Sequence, residues 1–535
     1  MKRNWVIHPF LFGIYPVFFL FAHNAHEAEV SEAALPFAVL LGFTCVMVLV
    51  SWILLRNFHK AGILTSVFMV LFFMYGHTRM YLDRFEVFHF GLRPLHDYLV
   101  WVGLLVILPV GLCFYTLLRV QKTPLGLTRF LNLVSIILMM MSLIQIGGFK
   151  LKLWGKHPDV RREQDSAVEA FTGHAIAPLR DIYYIILDGY GSAQTLKDIY
   201  GYSNEGFYEE LEKRGFYVAR ESRSNYVYTT WSLPTSLNLN YMHYRDYEAS
   251  SRTGPRFRPF YSTIKNNRVV RILKSMGYRY AHFASTAYPP TKASRDADFN
   301  FNNEKINEFA TMLLKPSVLN PLMTVLTVPD RRQSVLYVFE KLKEMSKNPD
   351  PVFSFAHIIL PHPPYVFKED GGNYSFNQLI NLGSQGGEYR KKLYAAQVAF
   401  ANKKVIELVD YLLANSEIPP IIIFQGDHGP RLEWRMARTS AVNREDETEL
   451  REYLKETLGI LNIYYLPDGG DRNMYPSITP ANSFRMIFNN YFGADYPLLD
   501  DESFVPSQDT SNSTPINVTE TIAEVRRHEE GSYPF

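Results

Sequence analysis

The chain has 535 residues, a formal net charge of +2 and two cysteines. That length exceeds one ordinary domain, and a near-neutral chain without a basic stripe excludes a nucleic-acid binder. Cys45 and Cys113 both lie in apolar runs, so the remainder has no disulfide framework, no thiolate metal site and no cysteine nucleophile.

Taken from the N-terminus, five apolar runs occupy roughly 5–22, 35–55, 61–77, 98–118 and 127–147. Each is near the ~20 residues a helix needs to cross hydrocarbon, which predicts a five-helix transmembrane domain over 1–148. The first run is followed by no small-residue cleavage site, so it reads as a span and not a signal peptide. Its Pro9 and Pro16 are tolerable in a membrane helix. Lys2 and Arg3 precede the first run, Arg56 and Lys60 lie between the second and third, and Arg119, Lys122 and Arg129 lie between the fourth and fifth. The loop after the first run carries Glu27, Glu29 and Glu32 with no Lys or Arg. Basic loops stay inside, so the expected topology is multi-pass in the inner or plasma membrane, with a cytoplasmic N-terminus. Everything after about residue 150 then lies on the outer side. A juxtamembrane connector is expected over 149–178, where Trp154 and its neighbouring lysines suit an interface.

From 179 to 500 the pattern alternates continuous apolar runs with helical periods, as in an α/β domain whose central, mostly parallel sheet is covered by helices on both faces. Strands are expected at 182–187, 278–284, 352–359, 420–425 and 460–466, and helices at 204–214, 262–276, 334–346, 388–415 and 480–492. Segment 306–330 is unusually apolar. It reads either as a packing helix pair or as a surface resting on the bilayer. Residues 501–535 form a polar, Ser/Thr-rich tail expected to be loosely ordered.

Three expected strands end in polar residues. The first runs into Asp188-Gly189, the third carries His357 and leads to His362, and the fourth runs into Gly426-Asp427-His428-Gly429. Ligand sites in open α/β sheets lie beyond the carboxyl ends of strands, and carboxylate plus imidazole suits Zn²⁺ or Mn²⁺. Taken singly, an Asp-Gly after a strand is most often a turn, and a strand histidine is usually a satisfied core residue. The ordered combination carries the reading.

That order, ILDGYG (186–191), YTTWSLPTS (228–236), HIILPHPPY (357–365) and QGDHG (425–429), resembles the sulfatase-like branch of the alkaline-phosphatase/sulfatase superfamily. Within it, the architecture is similar to membrane transferases of the phosphoethanolamine transferase and lipoteichoic acid synthase type, over essentially the whole chain. The resemblance implies one divalent metal ion, with Zn or Mn preferred and Mg or Ca also possible, held by Asp188, Thr229, Asp427 and His428. It implies Thr229 as nucleophile, since Ser232 follows three positions later, with Thr230 as the neighbouring alternative. His362 would contact the transferred group, and His357 would be a second histidine beside it, able to help hold a second metal. Two features depart from those transferases: Asp188 stands where they usually carry Glu, and the soluble half has no cysteine for the disulfides of the phosphoethanolamine transferases. The Cys/Ser-x-Pro-x-Arg signature of aldehyde-forming sulfatases is not met, because Ser232-Leu233-Pro234-Thr235 is followed by Ser236.

The implied function is a membrane-bound, metal-dependent transferase that moves a phosphoethanolamine or phosphoglycerol headgroup from a phospholipid donor to a cell-envelope glycan or lipid acceptor through a phosphothreonine intermediate. The alternative on the same fold is a hydrolase, either a sulfatase or a phosphodiesterase, which Asp188 keeps open. A scaffold that has lost activity is the third reading, opposed by the joint presence of Asp188, Thr229, His362, Asp427 and His428.

Overall fold

The structure is a computed structural model, and it describes residues 5–25, 30–83, 94–154, 171–174, 176, 178–242, 263–285, 288–306, 308–375, 378, 387–431, 447–506 and 515–522. Most of the expected connector therefore lies outside the described residues. The chain divides into two compact units: Met1–His157 with Lys305–Asp330 and Ser375–Gly383, and the remainder.

The first unit is helical: α1 (His8–His23), α2 (Val30–Leu55), α3 (Phe58–Asp83), α4 (Pro94–Val102), α5 (Leu108–Arg119) and α6 (Leu125–Trp154). Four stretches are long and apolar enough to cross a membrane, at Val30–Leu55, Phe58–Arg79, Asp97–Arg119 and Leu125–Phe149, while α1 is a shorter apolar helix of 16 residues. Helices α4 and α5 form one span joined through a π-turn at Gly103–Ile107. Pro109, in the first turn of α5, supplies no N–H to the preceding turn, and a π-turn is one way a helix absorbs such a defect. In an apolar setting the free N–H groups at a helix start need partners. Here Asn132 of α6 accepts from the Ile7 and His8 amides at 3.2 and 3.0 Å.

The apolar segment 306–330 belongs to this first unit. Its short helix Glu308–Leu314 buries Phe309 and Leu313 among Val17, Leu40, Met69, Phe72 and Phe73. The chain then makes two backbone bonds to α3: the Gly76 amide donates to Pro316 O at 2.7 Å, and the Val318 amide donates to Phe72 O at 3.1 Å. Tyr98 of α4 donates its hydroxyl to Val318 O. A Cβ at position 76 would lie 2.5 Å from Pro316 O, so only glycine permits this approach. Of the two readings offered by the sequence, packing against other helices describes the inward face, while Met312, Leu322 and Leu326 remain exposed.

The second unit is built on a seven-stranded sheet: β1 (Ile182–Leu187), β2 (Tyr217–Val218), β3 (Arg279–Phe283), β4 (Phe299–Phe301), β5 (Val352–Ile358), β6 (Ile421–Gln425) and β7 (Asn462–Tyr465), in the order β2-β7-β6-β1-β5-β3-β4. β1 pairs in parallel with β5 and β6, and β7 is antiparallel to both β6 and β2. The sheet is thus mixed, with a single reversed strand. Every residue of β1, β5 and β6 is buried, as continuous apolar strands covered on both faces must be. Helices stand at Glu205–Glu212, Gly387–Asn415 and Pro480–Phe492, close to expectation. Within the expected 262–276 helix, residues 263–265 are helical and a second helix, Arg268–Ser275, starts at Asn267, which caps it by accepting the Val270 amide at 2.9 Å; residue 262 lies outside the described residues. The expected 334–346 helix is the end of a longer one, Asn320–Met345.

Part of the expected polar tail is folded. Phe504–Val505 pairs with Ile516–Asn517, and Val505, Val518 and Ile522 are buried against Val227, Tyr453, Leu454 and Leu458. A few well-spaced apolar residues outweigh the polar average of that segment. The rest of the tail lies outside the described residues.

Candidate active site

Three adjacent parallel strands, β6, β1 and β5, deliver the polar residues to one edge of the sheet. Asp188 follows β1, Asp427 and His428 follow β6, His357 is in β5, and His362 lies in the loop beyond it. Register places His357 beside Ile186, one turn of the pleat before Asp188. The fourth contributor is the helix Thr229–Asn238, whose first residue is Thr229.

Thr229 Oγ1 donates to Asp427 Oδ2 at 2.6 Å and lies 3.2 Å from His428 Nε2. Asp427 Oδ1 accepts from the Gly189 and His428 amides, each at 3.0 Å. His428 Nδ1 faces the Gly429 carbonyl at 2.8 Å. A carbonyl only accepts, so Nδ1 carries the proton and Nε2 presents its lone pair to the site. The same logic applies to His362, whose Nδ1 lies 2.6 Å from Pro363 O. A Cβ at Gly429 would overlap the Glu456 carbonyl, so the turn after His428 is open only to glycine.

Asp188, His357 and Asp427 each offer a ligand atom within 4.8 Å of the others, and all three are buried. His428 Nε2 stands 3.6 Å from Asp188 Oδ1 and 3.4 Å from Asp427 Oδ2. All six residues expected from the sequence therefore come to one place. His362 is at its edge, half-buried, with its ring 6.3 Å from that of His428.

Three contributors carried no signal in the sequence reading. Thr291, after β3, holds His357 Nδ1 at 2.9 Å. Tyr394, in the helix Gly387–Asn415, donates to Gly189 O at 2.9 Å and accepts from Gly191 N at 3.0 Å, bracing the turn after Asp188. Arg431 places Nη2 3.2 Å from His428 Nε2, with its guanidinium 4.7 Å from the Tyr228 ring centroid. Arg431 has φ 56°, a left-handed backbone that costs a residue with a Cβ about 1–2 kcal/mol. A basic residue three positions after His428 was the available clue to it. Thr291 and Tyr394 come from distant segments and offered none.

The sulfatase family profile matches residues 180–479, more than half of the chain and all of these residues. The chain belongs to the sulfatase family. This places it in the alkaline-phosphatase/sulfatase superfamily of enzymes. No curated protein matches the sequence. Among solved structures, this sulfatase-family chain is similar to the C-terminal periplasmic domain of EcEptC from Escherichia coli, at 14% identity and a TM-score of 0.41, covering 66% of this chain and 96% of that one. It is also similar to the integral membrane lipooligosaccharide phosphoethanolamine transferase A from Neisseria meningitidis, at 12% identity and a TM-score of 0.37, covering 90% and 94%. A third is the periplasmic domain of phosphoethanolamine transferase EptC from Campylobacter jejuni, at 13% identity and a TM-score of 0.35, covering 62% and 95%.

The electrostatics of this sulfatase-family site separate the two carboxylates. Burying an ionised group costs several kcal/mol, whereas a hydrogen bond to a charged group returns roughly 1.5–3 kcal/mol. Asp427 has three such bonds. Asp188 Oδ1 has no hydrogen-bond partner among the described residues, nor has His357 Nε2, 3.3 Å from Asp188 Oδ2. Burial pushes the Asp188 carboxyl up, but His362, His357 and His428 together outweigh it and hold the group well below the usual carboxylate range. Asp188 Oδ1, buried without a partner among the described residues and 3.6 Å from His428 Nε2, and the likewise unpaired His357 Nε2 are donor atoms that a divalent cation would satisfy, so the donor set fits a metal.

Proposed function

We propose that this protein is a membrane-inserted, divalent-metal-dependent transferase. It would move a phospholipid-derived headgroup, phosphoethanolamine or phosphoglycerol, to a cell-envelope glycan or lipid acceptor through a covalent intermediate on Thr229. The observation that carries the reading is the Thr229 hydroxyl at the start of a helix, 2.6 Å from Asp427 and 3.2 Å from His428. A threonine is a weak nucleophile until a base or metal activates it, and a helix N-terminus favours an incoming anion.

Zn²⁺ or Mn²⁺, held by Asp188, Asp427, His428 and the Thr229 oxygen with His357 alongside, would supply Lewis-acid polarisation and lower the hydroxyl pKa. The chain's own groups do the rest. Asp427 Oδ2 orients the Thr229 proton away from the attacking lone pair. Thr229 Oγ1 attacks phosphorus as its proton passes to Asp427 Oδ2, the bond to the lipid alcohol breaks, and the alcohol leaves with a proton supplied by the imidazolium form of His362 or His357. An acceptor hydroxyl then attacks the same phosphorus, its proton passes to the same, now neutral, histidine, the Thr229–phosphorus bond breaks, and Asp427 returns the proton to Thr229.

The distribution of Lys and Arg supports a cytoplasmic N-terminus, five spans and an extracytoplasmic catalytic unit. A bilayer location supports a lipid donor. The test is the mass of the Thr229 peptide after the full chain is incubated with mixed phospholipids and Zn²⁺ or Mn²⁺. A phosphoethanolamine or phosphoglycerol adduct on Thr229, lost in Thr229→Ala together with turnover, is the expected result. Lipid turnover at wild-type rate in Thr229→Ala would sink the covalent mechanism. Water as sole acceptor would make the protein a phosphodiesterase, and turnover confined to sulfate esters would make it a sulfatase.

A further inference from the structure

Arg431 occupies an atom that the metal centre needs. His428 Nδ1 carries the proton, so Nε2 is a lone pair, and Arg431 Nη2 donates to it at 3.2 Å. The same lone pair is the one His428 would give to a metal. An imidazole nitrogen has one lone pair in the ring plane and cannot serve both. The edge of the guanidinium that touches His428 also carries Nε–H, which is buried and has no acceptor among the described residues. That edge, Nε–H beside Nη2–H, is the fork that matches two oxygens of a phosphoryl group. The guanidinium lies 4.7 Å from the ring centroid of Tyr228, the residue before Thr229, and the His428 Nε2 it touches is 3.2 Å from Thr229 Oγ1, so a small swing brings the fork to the nucleophile.

We propose that Arg431 exchanges partners: it caps His428 in the metal-free enzyme and, once a metal takes that lone pair, turns its fork onto the non-bridging oxygens of the transferred group. A cation released beside a second cation would be repelled, and an anionic phosphoryl group between them removes that repulsion. Arg431 thereby couples metal loading to phosphoryl binding and selects for substrates with two free oxygens on one centre. The inference rests on the proposed phosphoryl chemistry at Thr229.

The experiment uses the full chain in detergent with two probes, Zn²⁺ alone and inorganic phosphate added to the zinc-loaded protein, each titrated calorimetrically. Arg431→Ala is expected to bind zinc at least threefold more tightly, because the competing donor is gone. It is expected to bind phosphate at least tenfold more weakly. Arg431→Lys, which keeps the charge without the fork, should fall between wild type and Arg431→Ala for phosphate, and it guards against a folding defect in the alanine variant. Zinc affinity or phosphate affinity within twofold of wild type in both variants overturns the exchange. A missing Thr229 adduct in the wild type would overturn the transfer reading and leave these binding results standing.

Discussion

Thr229 and Asp427 meet through one hydrogen bond, Oγ1 to Oδ2 at 2.6 Å, while the other oxygen of Asp427 is fixed by the Gly189 and His428 amides. One carboxylate thus has a structural oxygen and a chemical one. The structural oxygen ties the turn after β1 to the turn after β6, and the chemical one faces the hydroxyl.

Asp427→Asn separates those roles. The amide oxygen still accepts from both backbone N–H groups, so the turns stay joined, but the charge and the acceptor facing Thr229 are lost. We expect an unfolding midpoint close to wild type. Zinc affinity should fall by at least the 10–100-fold that loss of an outer-shell partner costs, with turnover falling in step. Metal analysis after dialysis reads the first and lipid turnover the second. Retained zinc would remove Asp427 from the ligand set.

Tyr394→Phe tests the brace behind Asp188. The variant leaves Gly189 O and Gly191 N, both buried, without the hydroxyl that bridges them. The cost should be about 1–3 kcal/mol in stability, seen as a lower denaturant midpoint. Because the loosened turn carries Asp188 and the Gly189 amide, zinc affinity should fall as well. Loss of stability with unchanged zinc affinity would leave Tyr394 as a core residue only.

The fold was legible wherever one local pattern decided the outcome. Ile182–Leu187 and Pro480–Phe492 needed only apolar runs bounded by a turn or a cap, and they occur as expected. The gathering of the six candidate residues was legible because each ends a strand, flanks one or opens a helix, where side chains must gather. Thr291 and Tyr394 act by reaching across from other segments, and a single sequence has no periodicity for that; Arg431 lies three positions after His428, where a basic residue was the only clue. The folded part of the tail was hidden for a related reason: Val505, Val518 and Ile522 are diluted by polar neighbours, and their burial depends on partners such as Tyr453 and Leu458, as that of Phe504 depends on Tyr226 and Tyr241.

Gly76→Val tests the docking of segment 316–318 on α3. A side chain there collides with Pro316 O, so the bonds from Gly76 N to Pro316 O and from Val318 N to Phe72 O should both be lost. Helix α3 itself tolerates valine, whose helix propensity exceeds that of glycine. Amide exchange across 308–318 should accelerate in the variant while exchange in β1 and β6 stays at wild-type rates. Unchanged exchange at Val318 would show that this docking does not persist in solution.

Stability against pH should expose two buried groups of opposite sign. Burial lowers His282 to about 4, and the hydroxyl of Tyr280 and the carbonyl of Thr291 hold its two nitrogens. Between about 4 and 6.5 the unfolded chain binds more protons at this histidine than the folded one, so its contribution rises with pH. Burial raises Asp181 to about 6, against the Val352 amide that favours its ionised form. Between its ordinary value and 6 the folded state holds more protons there, so its contribution falls as pH rises. Each group contributes up to about 1.4 kcal/mol per pH unit within its window, and from pH 4 to 6 the two nearly cancel. Relative to wild type, Asp181→Asn should therefore gain stability from pH 4 to 6, and His282→Gln should lose it. Denaturant midpoints of the metal-free protein at half-unit intervals give both slopes. Parallel curves for the two variants would mean that neither group carries the shift its burial implies.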